Sequence, residues 1–505
     1  MRSLVNKILN ARLAAAALTV AFGGAAVAQT PSASPQEAPR ETPPAPAAPR
    51  PVNLPSPVER TLANGLRVIV VEDPGSPLVS ATLLVKNGGE VDPNELSGVA
   101  DMTASLLTKG TKKRTAPQIA QDIEALGGSI ASGAGWDAST ASVNVMSSKA
   151  PTALEILSDV VLNPTFADEE IERLRQQYID GLTVALQNPG TLAGYVASRV
   201  VFGDQPYGHP VSGTLESLAR IKRDDIARVH SAYYRPDNAV LVFGGDIRAA
   251  DAYKLAETHF GAWAKPATPL PAASRPASAS AKPRVVVVDM PNAGQAAVLL
   301  ARTGLSRNDP DYFRGIVTNS VLSGYSGRLN QEIRIKRGLS YGARSQLDTR
   351  RHTGPFIASA QTKNPSGAEV AALLVGEISR LAKEPVTETE LTPRKAVLIG
   401  NFARNLETTE GLVAQVASLA LHGLSLGEIN NYIRNVQSIT GADIQQFATK
   451  RLAASEANII IVGNAKDFIE PLRKQFPDVE VIPAAELDLN RAALRKPAAT
   501  TPGNN

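Results

Sequence analysis

The sequence feature that most constrains the fold is an internal repeat. The run Arg67-Val-Ile-Val-Val-Glu72 is matched 217 positions later by Arg284-Val-Val-Val-Val-Asp289. Asp225-Ile226 and Asp443-Ile444, which lie 218 positions apart, each precede an apolar run that closes on a glycine. Because this offset stays nearly constant over about 200 residues, the chain is predicted to contain two copies of one domain and not a solenoid of short repeats.

Each copy mixes short strands with amphipathic helices. In the first copy, Asn64-Gly65 predicts a hairpin turn between strands at 58–62 and 66–71, and residues 78–85 are predicted to form another strand. The spacing of apolar residues predicts helices at about 117–126, 150–161, 168–186 and 191–202, and in the second copy at about 366–382, 387–406, 409–422, 426–436 and 441–452. These patterns predict an α+β class, in which each domain has a mainly antiparallel sheet covered by helices on one face.

The N-terminus has the pattern of a secretory signal. Arg2, Lys7 and Arg12 precede an apolar run at 13–25, and Ala26-Val27-Ala28 has the small-x-small pattern of a cleavage site. The alternative is a retained membrane anchor, but the run is shorter than the ~20 residues needed to span a bilayer. The chain has no cysteine to carry a lipid. We therefore predict cleavage after Ala28, a periplasmic location and no membrane attachment of the mature protein.

Changes in composition set the predicted domain boundaries. Two stretches are rich in Pro, Ala and Ser and cannot bury enough apolar surface to fold by themselves. The prediction is a signal peptide at 1–28, a linker at 29–56, an N-terminal domain at 57–264, a second linker at 265–283, a C-terminal domain at 284–484 and a disordered tail at 485–505.

Charge and histidine content exclude several functional classes. The chain has 52 basic and 48 acidic residues, and its formal charge of +4 falls further when the basic signal is removed, so nothing favours nucleic-acid or membrane-surface binding. The five histidines, at 209, 230, 259, 352 and 422, are all more than five residues apart. A zinc site would have to be assembled from scattered histidines and carboxylates, which is uncommon for this metal.

The stretch from Gly98 to Thr111 resembles the metal-binding helix of the M16 (insulinase or pitrilysin-like) zinc peptidases. In that family the helix carries H-x-x-E-H, where two histidines bind zinc and the Glu acts as general base. Asp101, Ala104 and Ser105 occupy those three positions here, and Gly181 falls where the family has its third ligand, a Glu. The resemblance therefore implies a degenerate site that binds no metal.

Further landmarks of the same family cover about residues 57–484. They are Asn64-Gly65-Leu66, Gly110-Thr111, Pro206-Tyr-Gly-His-Pro210 and Tyr234-Arg235-Pro236 with Asn238. Each motif is moderately specific, and together they are highly specific. The chain resembles the short bacterial members of the family, which have two domains per chain.

A last match lies in the second copy, from Gly324 to Tyr341. It resembles the family segment that supplies an Arg and a Tyr, seven positions apart, to the substrate side of the active site, and these are Arg334 and Tyr341 here. A guanidinium and a phenol can donate hydrogen bonds to a peptide carbonyl and to the oxyanion that forms when it is attacked. We expect a helix at 328–337 and a strand beginning near Tyr341, so that both side chains face one cleft.

Three other patterns lead to weaker interpretations. The glycine-rich loop at 324–327 lacks the spacing of a phosphate-binding loop, so nucleotide binding is dismissed. His209 is interpreted as a scaffold residue. Asp101 and Asp180 could be imagined as an acid/base pair, but little beyond Ser105 remains on the helix to assist them.

The resemblance implies a non-catalytic, substrate-binding subunit of a periplasmic heterodimeric zinc metallopeptidase. The expected partner carries H-x-x-E-H and holds the zinc, the expected substrate is a peptide, and this chain itself needs no cofactor. The alternative is a peptide-binding or scaffold protein of the cell envelope that works without a peptidase, because a fold alone does not fix a function. A third possibility is an independent hydrolase that uses other groups.

Overall fold

A computed structural model describes residues 56–271 and 282–496. The predicted signal peptide at 1–28, almost all of the linker at 29–56 and most of the linker at 265–283 lie outside these residues. Within the described ranges, none of the helices combines the length and apolar character that crossing a membrane requires.

The first half forms a six-stranded sheet with the order β1-β2-β6-β3-β5-β4. Its neighbours pair antiparallel except for β2 and β6, which are parallel. The strands are β1 (Val58–Thr61), β2 (Arg67–Glu72), β3 (Leu78–Val85), β4 (Ser129–Ala134), β5 (Ser139–Met146) and β6 (Ala239–Gly245). The helices are α1 (Val99–Leu106), α2 (Ala116–Ala125), α3 (Ala150–Leu162), α4 (Asp168–Ala185), α5 (Pro189–Phe202), α6 (Leu215–Arg220), α7 (Arg223–Tyr233) and α8 (Ala249–Phe260).

The second half forms a sheet with the order β12-β7-β11-β8-β10-β9, in which β7 pairs parallel with both β11 and β12. The strands are β7 (Val285–Asp289), β8 (Ala296–Thr303), β9 (Ser340–Leu347), β10 (Pro355–Thr362), β11 (Asn458–Gly463) and β12 (Val479–Pro483). The helices are α9 (Tyr312–Leu322), α10 (Arg328–Asn330) with a π-helical turn at Gln331–Lys336, α11 (Gly367–Lys383), α12 (Glu388–Leu406), α13 (Thr409–Leu421), α14 (Glu428–Ser438), α15 (Gly441–Arg451) and α16 (Ile469–Gln475).

The two halves have the same sheet order apart from one edge strand, which comes first in the first half (β1) and last in the second (β12). The predicted duplication and the α+β class are therefore confirmed. The strands β2 and β7, which the repeat in the sequence relates, each lie beside the strand that closes on a glycine, β6 or β11. The hairpin turn at Asn64-Gly65 also forms as predicted. Gly65 has a φ of 94°, a left-handed conformation that suits glycine, and the Asn64 side chain accepts a hydrogen bond from the Leu66 amide.

The structure shows a feature that the sequence did not predict. Each half contributes one helix, α5 or α13, to the sheet of the other half. One face of each sheet packs against the helices of its own half. On the other face of the first sheet, Ile69 and Val242 pack against Leu412 and Val416 of α13, which belongs to the second half. In return α5 from the first half packs on β8 and β11. Apolar side chains therefore point to both faces of these central strands, and each half completes the core of the other.

The tips of two hairpins also lock the halves together. Arg351, between β9 and β10, donates from its backbone amide to Asp137 Oδ2 over 2.7 Å, and its guanidinium donates to the Lys86 and Asp137 carbonyl oxygens over 2.6 and 2.8 Å. The same guanidinium lies 3.2 Å from the Glu90 carboxylate, which is 4% exposed. Burial raises the pKa of Glu90 to about 7, although Arg351 and the Gly88 amide act against this shift.

The prediction of a disordered tail at 485–505 is wrong for its first part. Residues 485–496 lie against the first half, and Leu494 is fully buried in the cluster that contains α5. The Leu489 carbonyl accepts a hydrogen bond from Arg199 Nε over 2.9 Å. Burial of the two leucines and the hydrogen bond to a buried arginine outweigh the tail-like composition, which was the basis of the prediction. Residues 497–505 lie outside the described part of the chain.

Candidate functional site

Helix α1 holds the positions that correspond to the family's metal-binding motif. It begins after Gly98, whose φ is 95°, and Asp92 accepts hydrogen bonds from the amides of Gly98 and Ala100 over 2.7 and 2.9 Å. A carboxylate at this place satisfies amide groups that have no partner within the helix. The helix packs between β4, α4 and α7, and Met102 on its core face is fully buried. The position of α1 in the fold is therefore fixed by capping and packing, independently of any metal.

The side chains at these positions bond to protein groups. Asp101 is 9% exposed, and its carboxylate accepts hydrogen bonds from Ser212 Oγ over 2.9 Å and from the Ala134 amide over 3.4 Å. The hydroxyl of Ser105 lies 2.9 Å from the hydroxyl of Tyr178, on α4, and Tyr178 is near enough to Asp101 to influence its pKa. The space between α1 and α4 is thus bridged by a phenol and a hydroxyl.

Burial decides the protonation behaviour of this cluster. It raises the pKa of Asp101, against the effect of the hydrogen bonds from Ser212, Ala134 and Tyr178. Burial, followed by the nearby charge of Asp101, raises the pKa of Tyr178 to about 12, so this phenol stays protonated at neutral pH and serves as a hydrogen-bond donor. No group in the cluster is a thiolate or an imidazole of the kind that zinc prefers.

The residues present do not fit a zinc ion. Ala104 offers only a buried methyl group, and Gly181 on α4 has no side chain and faces open space. In the two ranges that the structure describes, no three side chains of His, Cys, Asp or Glu come close enough to share a metal ion. One buried carboxylate with two hydroxyl groups is a poor donor set for zinc. That the chain needs no cofactor stays a prediction.

Asp180 does not assist Asp101. It lies on the exposed side of α4, where its carboxylate accepts a hydrogen bond from Gln176 Nε2 over 2.8 Å, and the hydrogen bonds of Asp101 go to other residues. His209, interpreted from the sequence as a scaffold residue, is 1% exposed and lies beside the Trp136 ring. Burial lowers the pKa of His209 to about 4, which keeps its ring neutral.

Arg334 and Tyr341, the pair that the resemblance singles out, lie close together. Arg334 is in the π-helical turn, Gly338 reverses the chain with a φ of 64°, and Tyr341 is the second residue of β9. The guanidinium carbon lies 5.0 Å from the centre of the Tyr341 ring, and Tyr341 is 90% exposed. Both groups are therefore accessible to a ligand, and the role that the resemblance gives them stays a prediction.

The structure adds a third residue, Tyr325, which the sequence did not single out. Its ring centre lies 5.4 Å from the Arg334 guanidinium carbon and its side chain is 69% exposed. The only feature of the sequence that could have pointed to Tyr325 is its position, an aromatic residue in a glycine-rich turn just before a helix. The distance between Tyr325 and Arg334 along the chain gives no indication that their side chains meet.

One strand near α1 and one strand near Arg334 and Tyr341 lie at the edges of their sheets. β4, which packs against α1, is the last strand of the first sheet, and β9, which begins at Tyr341, is the last strand of the second. An edge strand has a row of backbone amides and carbonyls without partners in the sheet, and an extended peptide can pair with such a row.

Comparison with known proteins gives two family matches and several relatives. The model described as "Insulinase (Peptidase family M16)" matches residues 67–214, and "Peptidase M16 inactive domain" matches residues 220–398. A protein of Rickettsia bellii named "Uncharacterized zinc protease" is 28% identical over 408 residues, which are 80% of this chain and 97% of that protein. A protein of Streptomyces coelicolor with a similar name is 24% identical over 412 residues, or 81% and 89% of the two chains.

Solved structures with the same fold include two bacterial proteins. One is described as a peptidase M16 inactive domain from Pseudomonas fluorescens, with a TM-score of 0.75 and 28% identity over 81% of this chain and 98% of that one. The other is a protease from Helicobacter pylori, with a TM-score of 0.73 and 20% identity over 81% of this chain and all of that one.

Proposed function

Because this chain belongs to peptidase family M16, we propose that it is a non-catalytic, substrate-binding subunit of a periplasmic heterodimeric zinc metallopeptidase. It binds a peptide, and Arg334 and Tyr341 contribute to stabilising the transition state of hydrolysis. The partner is an M16 subunit that carries H-x-x-E-H, holds the zinc and supplies the metal-activated water.

The observation that carries this proposal is the contrast between the two sets of residues. On α1, Asp101 and Ser105 are engaged by Ser212 and Tyr178, and neither an imidazole nor a glutamate stands where the family has its ligands and its base. In contrast, Arg334 and Tyr341 are adjacent and accessible. The chain has the groups that polarise a peptide bond and lacks those that generate hydroxide.

The chemistry of Arg334 and Tyr341 suits this division. A guanidinium keeps its charge throughout the pH range of proteins and presents several N–H donors in one plane, while a phenol adds one further donor. When hydroxide attacks a peptide carbonyl, negative charge develops on the carbonyl oxygen. Donors already in place at that oxygen lower the barrier because they interact more strongly with the transition state than with the substrate.

The edge of the first sheet supports binding of an extended peptide. A peptide that pairs with β4 would lie beside α1. On β9 the amides of Ala343 and Ser345 already donate to Asn330 Oδ1 and Ser323 Oγ, each over 3.3 Å. Backbone pairing gives affinity that depends little on sequence.

Reconstitution tests the proposal. The chain is co-expressed with a secreted M16 subunit that carries H-x-x-E-H, and the complex is isolated and assayed for zinc and for peptide cleavage. We expect one zinc per heterodimer and chelator-sensitive cleavage that neither free chain matches. Arg334→Ala or Tyr341→Phe is expected to lower turnover roughly 100- to 1,000-fold while the complex still forms.

A matched control is Arg337→Ala, which removes a nearby exposed guanidinium that is paired with Glu332 over 3.0 Å. Its turnover is expected to stay close to wild type. Wild-type rates from the Arg334/Tyr341 double variant would count against the roles of these residues. A stable complex with no cleavage of any peptide would instead favour the peptidase-independent scaffold, and cleavage by this chain alone in the presence of chelator would favour an independent hydrolase.

A further inference from the structure

Arg334 lies close to two exposed tyrosine rings. Its guanidinium carbon is 5.0 Å from the Tyr341 ring centre and 5.4 Å from that of Tyr325, and the rings are 90% and 69% exposed. Large apolar side chains with such exposure are unusual in a folded domain when they cluster. We call Tyr325, Arg334 and Tyr341 the tyrosine–arginine cluster.

The guanidinium of Arg334 has no carboxylate partner among the residues that the structure describes. The nearest acidic residue along the chain, Glu332, pairs instead with Lys336 over 2.9 Å and with Arg337 over 3.0 Å. Both rings lie within cation–π distance of the guanidinium. Among the described residues, no hydrogen bond or ion pair involves its N–H groups. An accessible guanidinium in a locally basic segment, with its donors unused, is suited to bind an anion.

The loop that carries Tyr325 is held by hydrogen bonds from Arg394 and Asn330. Arg394, which is 7% exposed on α12, donates from Nη1 to the Ser323 carbonyl over 3.1 Å and from Nη2 to Ser326 Oγ. Asn330 Nδ2 donates to the Tyr325 carbonyl over 2.7 Å. These contacts fix the backbone on both sides of Tyr325, so that its ring is placed over Arg334 before a ligand arrives.

We propose that the tyrosine–arginine cluster recognises a carboxylate of the bound peptide, either an acidic side chain or the C-terminal carboxylate. This inference rests on the proposed peptide-binding function and adds to it a preference for acidic peptides and a third residue, Tyr325. A carboxylate pairs with two N–H groups of one guanidinium edge in a planar, bidentate arrangement, which is a geometry that a lysine does not offer. The tyrosine rings hold the guanidinium plane and line the space that the peptide enters.

Peptide binding to the full chain tests this inference. One extended peptide with an uncharged fluorophore is made in four versions, with Asp or Asn at a central position and with a free or an amidated C-terminus, and its dissociation constant is measured by fluorescence anisotropy. We expect the version without any carboxylate to bind about tenfold more weakly than the best version. The pair of versions that accounts for the difference identifies whether the side chain or the terminus is recognised.

Variants separate recognition from folding. Arg334→Ala is expected to bring the four dissociation constants to one value, Arg334→Lys to keep only a small part of the preference, and Arg337→Ala to keep all of it. Tyr325→Ala is expected to weaken the preference severalfold, whereas Tyr325→Phe retains it because the ring face and not the hydroxyl lies over Arg334. A structural defect would weaken all four peptides equally and would not change their ratio.

Two results would overturn the inference in different ways. Equal binding of all four versions to the wild-type chain would refute carboxylate recognition and leave the proposed peptide-binding function in place. Failure of every version to bind, at concentrations where the active heterodimer cleaves none of them, would refute the proposed function and this inference with it.

Discussion

The hydroxyl of Tyr178 lies 2.9 Å from the hydroxyl of Ser105, in the space between α4 and α1. Tyr178 also influences the pKa of Asp101, so one phenol lies beside both polar residues that stand where the family has its histidines. This arrangement explains how α1 keeps its place after the loss of metal ligands. A buried polar side chain needs partners, and Tyr178 and Ser212 provide them.

Removal of the Tyr178 hydroxyl is expected to destabilise the protein. Tyr178→Phe removes the hydrogen-bond partner of the Ser105 hydroxyl, which typically costs about 1–3 kcal/mol. Urea unfolding of the full chain measures the change. The matched control is Tyr195→Phe on α5, since burial raises the pKa of Tyr195 without a hydrogen bond to the hydroxyl. An equal effect of the two substitutions would contradict the role given to Tyr178.

The isolated chain is expected to bind no stoichiometric zinc. Asp101, Ala104, Ser105 and Gly181 together provide one carboxylate and one hydroxyl, and zinc prefers sulfur and nitrogen ligands. Equilibrium dialysis against zinc at neutral pH, followed by metal analysis, measures the ratio. The H-x-x-E-H partner handled in the same way is the positive control. One tightly bound zinc per chain, with proteolysis that a chelator stops, would refute the proposed division of roles.

Stability is expected to depend on pH through Glu90. The pKa of this carboxyl is raised from 4.5 in the unfolded chain to about 7 in the folded one, mainly by burial. The folded state therefore binds the proton more tightly, and the stability that this binding contributes is complete below pH ~4.5 and is lost as the pH rises through ~7. The shift corresponds to roughly 3 kcal/mol.

Glu90→Gln tests this dependence, because the amide does not ionise. The difference in unfolding free energy between variant and wild type is expected to move in favour of the variant as the pH rises from about 5 to 8. Glu124→Gln, at an exposed position on α2, is the control and should show a constant difference. A constant difference for Glu90→Gln as well would show that the carboxyl near Arg351 does not titrate in this range.

The exchanged helix α13 is expected to stabilise the first half. Leu412 is fully buried against the first sheet, and Leu412→Ala should cost about 2–5 kcal/mol. Hydrogen exchange should show faster exchange in β2 and β6, although the substitution lies in the second half of the sequence. Val397→Ala, at a position on α12 that is 46% exposed, is the control. Faster exchange confined to the second sheet would contradict the observed packing.

The sequence predicted most local features correctly, because each had a signal within a few residues. The predicted helices at 168–186 and 387–406 correspond to α4 (Asp168–Ala185) and α12 (Glu388–Leu406), where apolar residues recur at helical spacing. Gly338 was predicted to end the helix before Tyr341, and it does so. That neither histidine nor glutamate stands at positions 101, 104, 105 and 181 is a fact of the sequence, and the lack of a metal stays a prediction.

Two features could not be predicted from nearby residues. They are the packing of residues 485–496 and the identity of the helix that covers the second face of each sheet. Half of residues 485–496 are charged or polar, and yet Leu494 is fully buried because a distant helix, α5, offers an apolar surface. All residues of the strand β6 are buried, so both of its faces are covered. The sequence pattern does not indicate which helix covers each face. Which helix covers the second face depends on residues about 170 positions away.

The sequence by itself determined the repeat, the class of each domain and which residues stand at the positions of the metal-binding motif, because periodicity, turn residues and side-chain identity act over short distances along the chain. Only the tertiary structure decided that α5 and α13 change halves, that Tyr178 occupies the space beside Asp101 and Ser105, and that Tyr325 lies over Arg334. These contacts join side chains that are far apart along the chain and that the fold brings together. Burial and hydrogen bonding stabilise such contacts regardless of the separation in sequence.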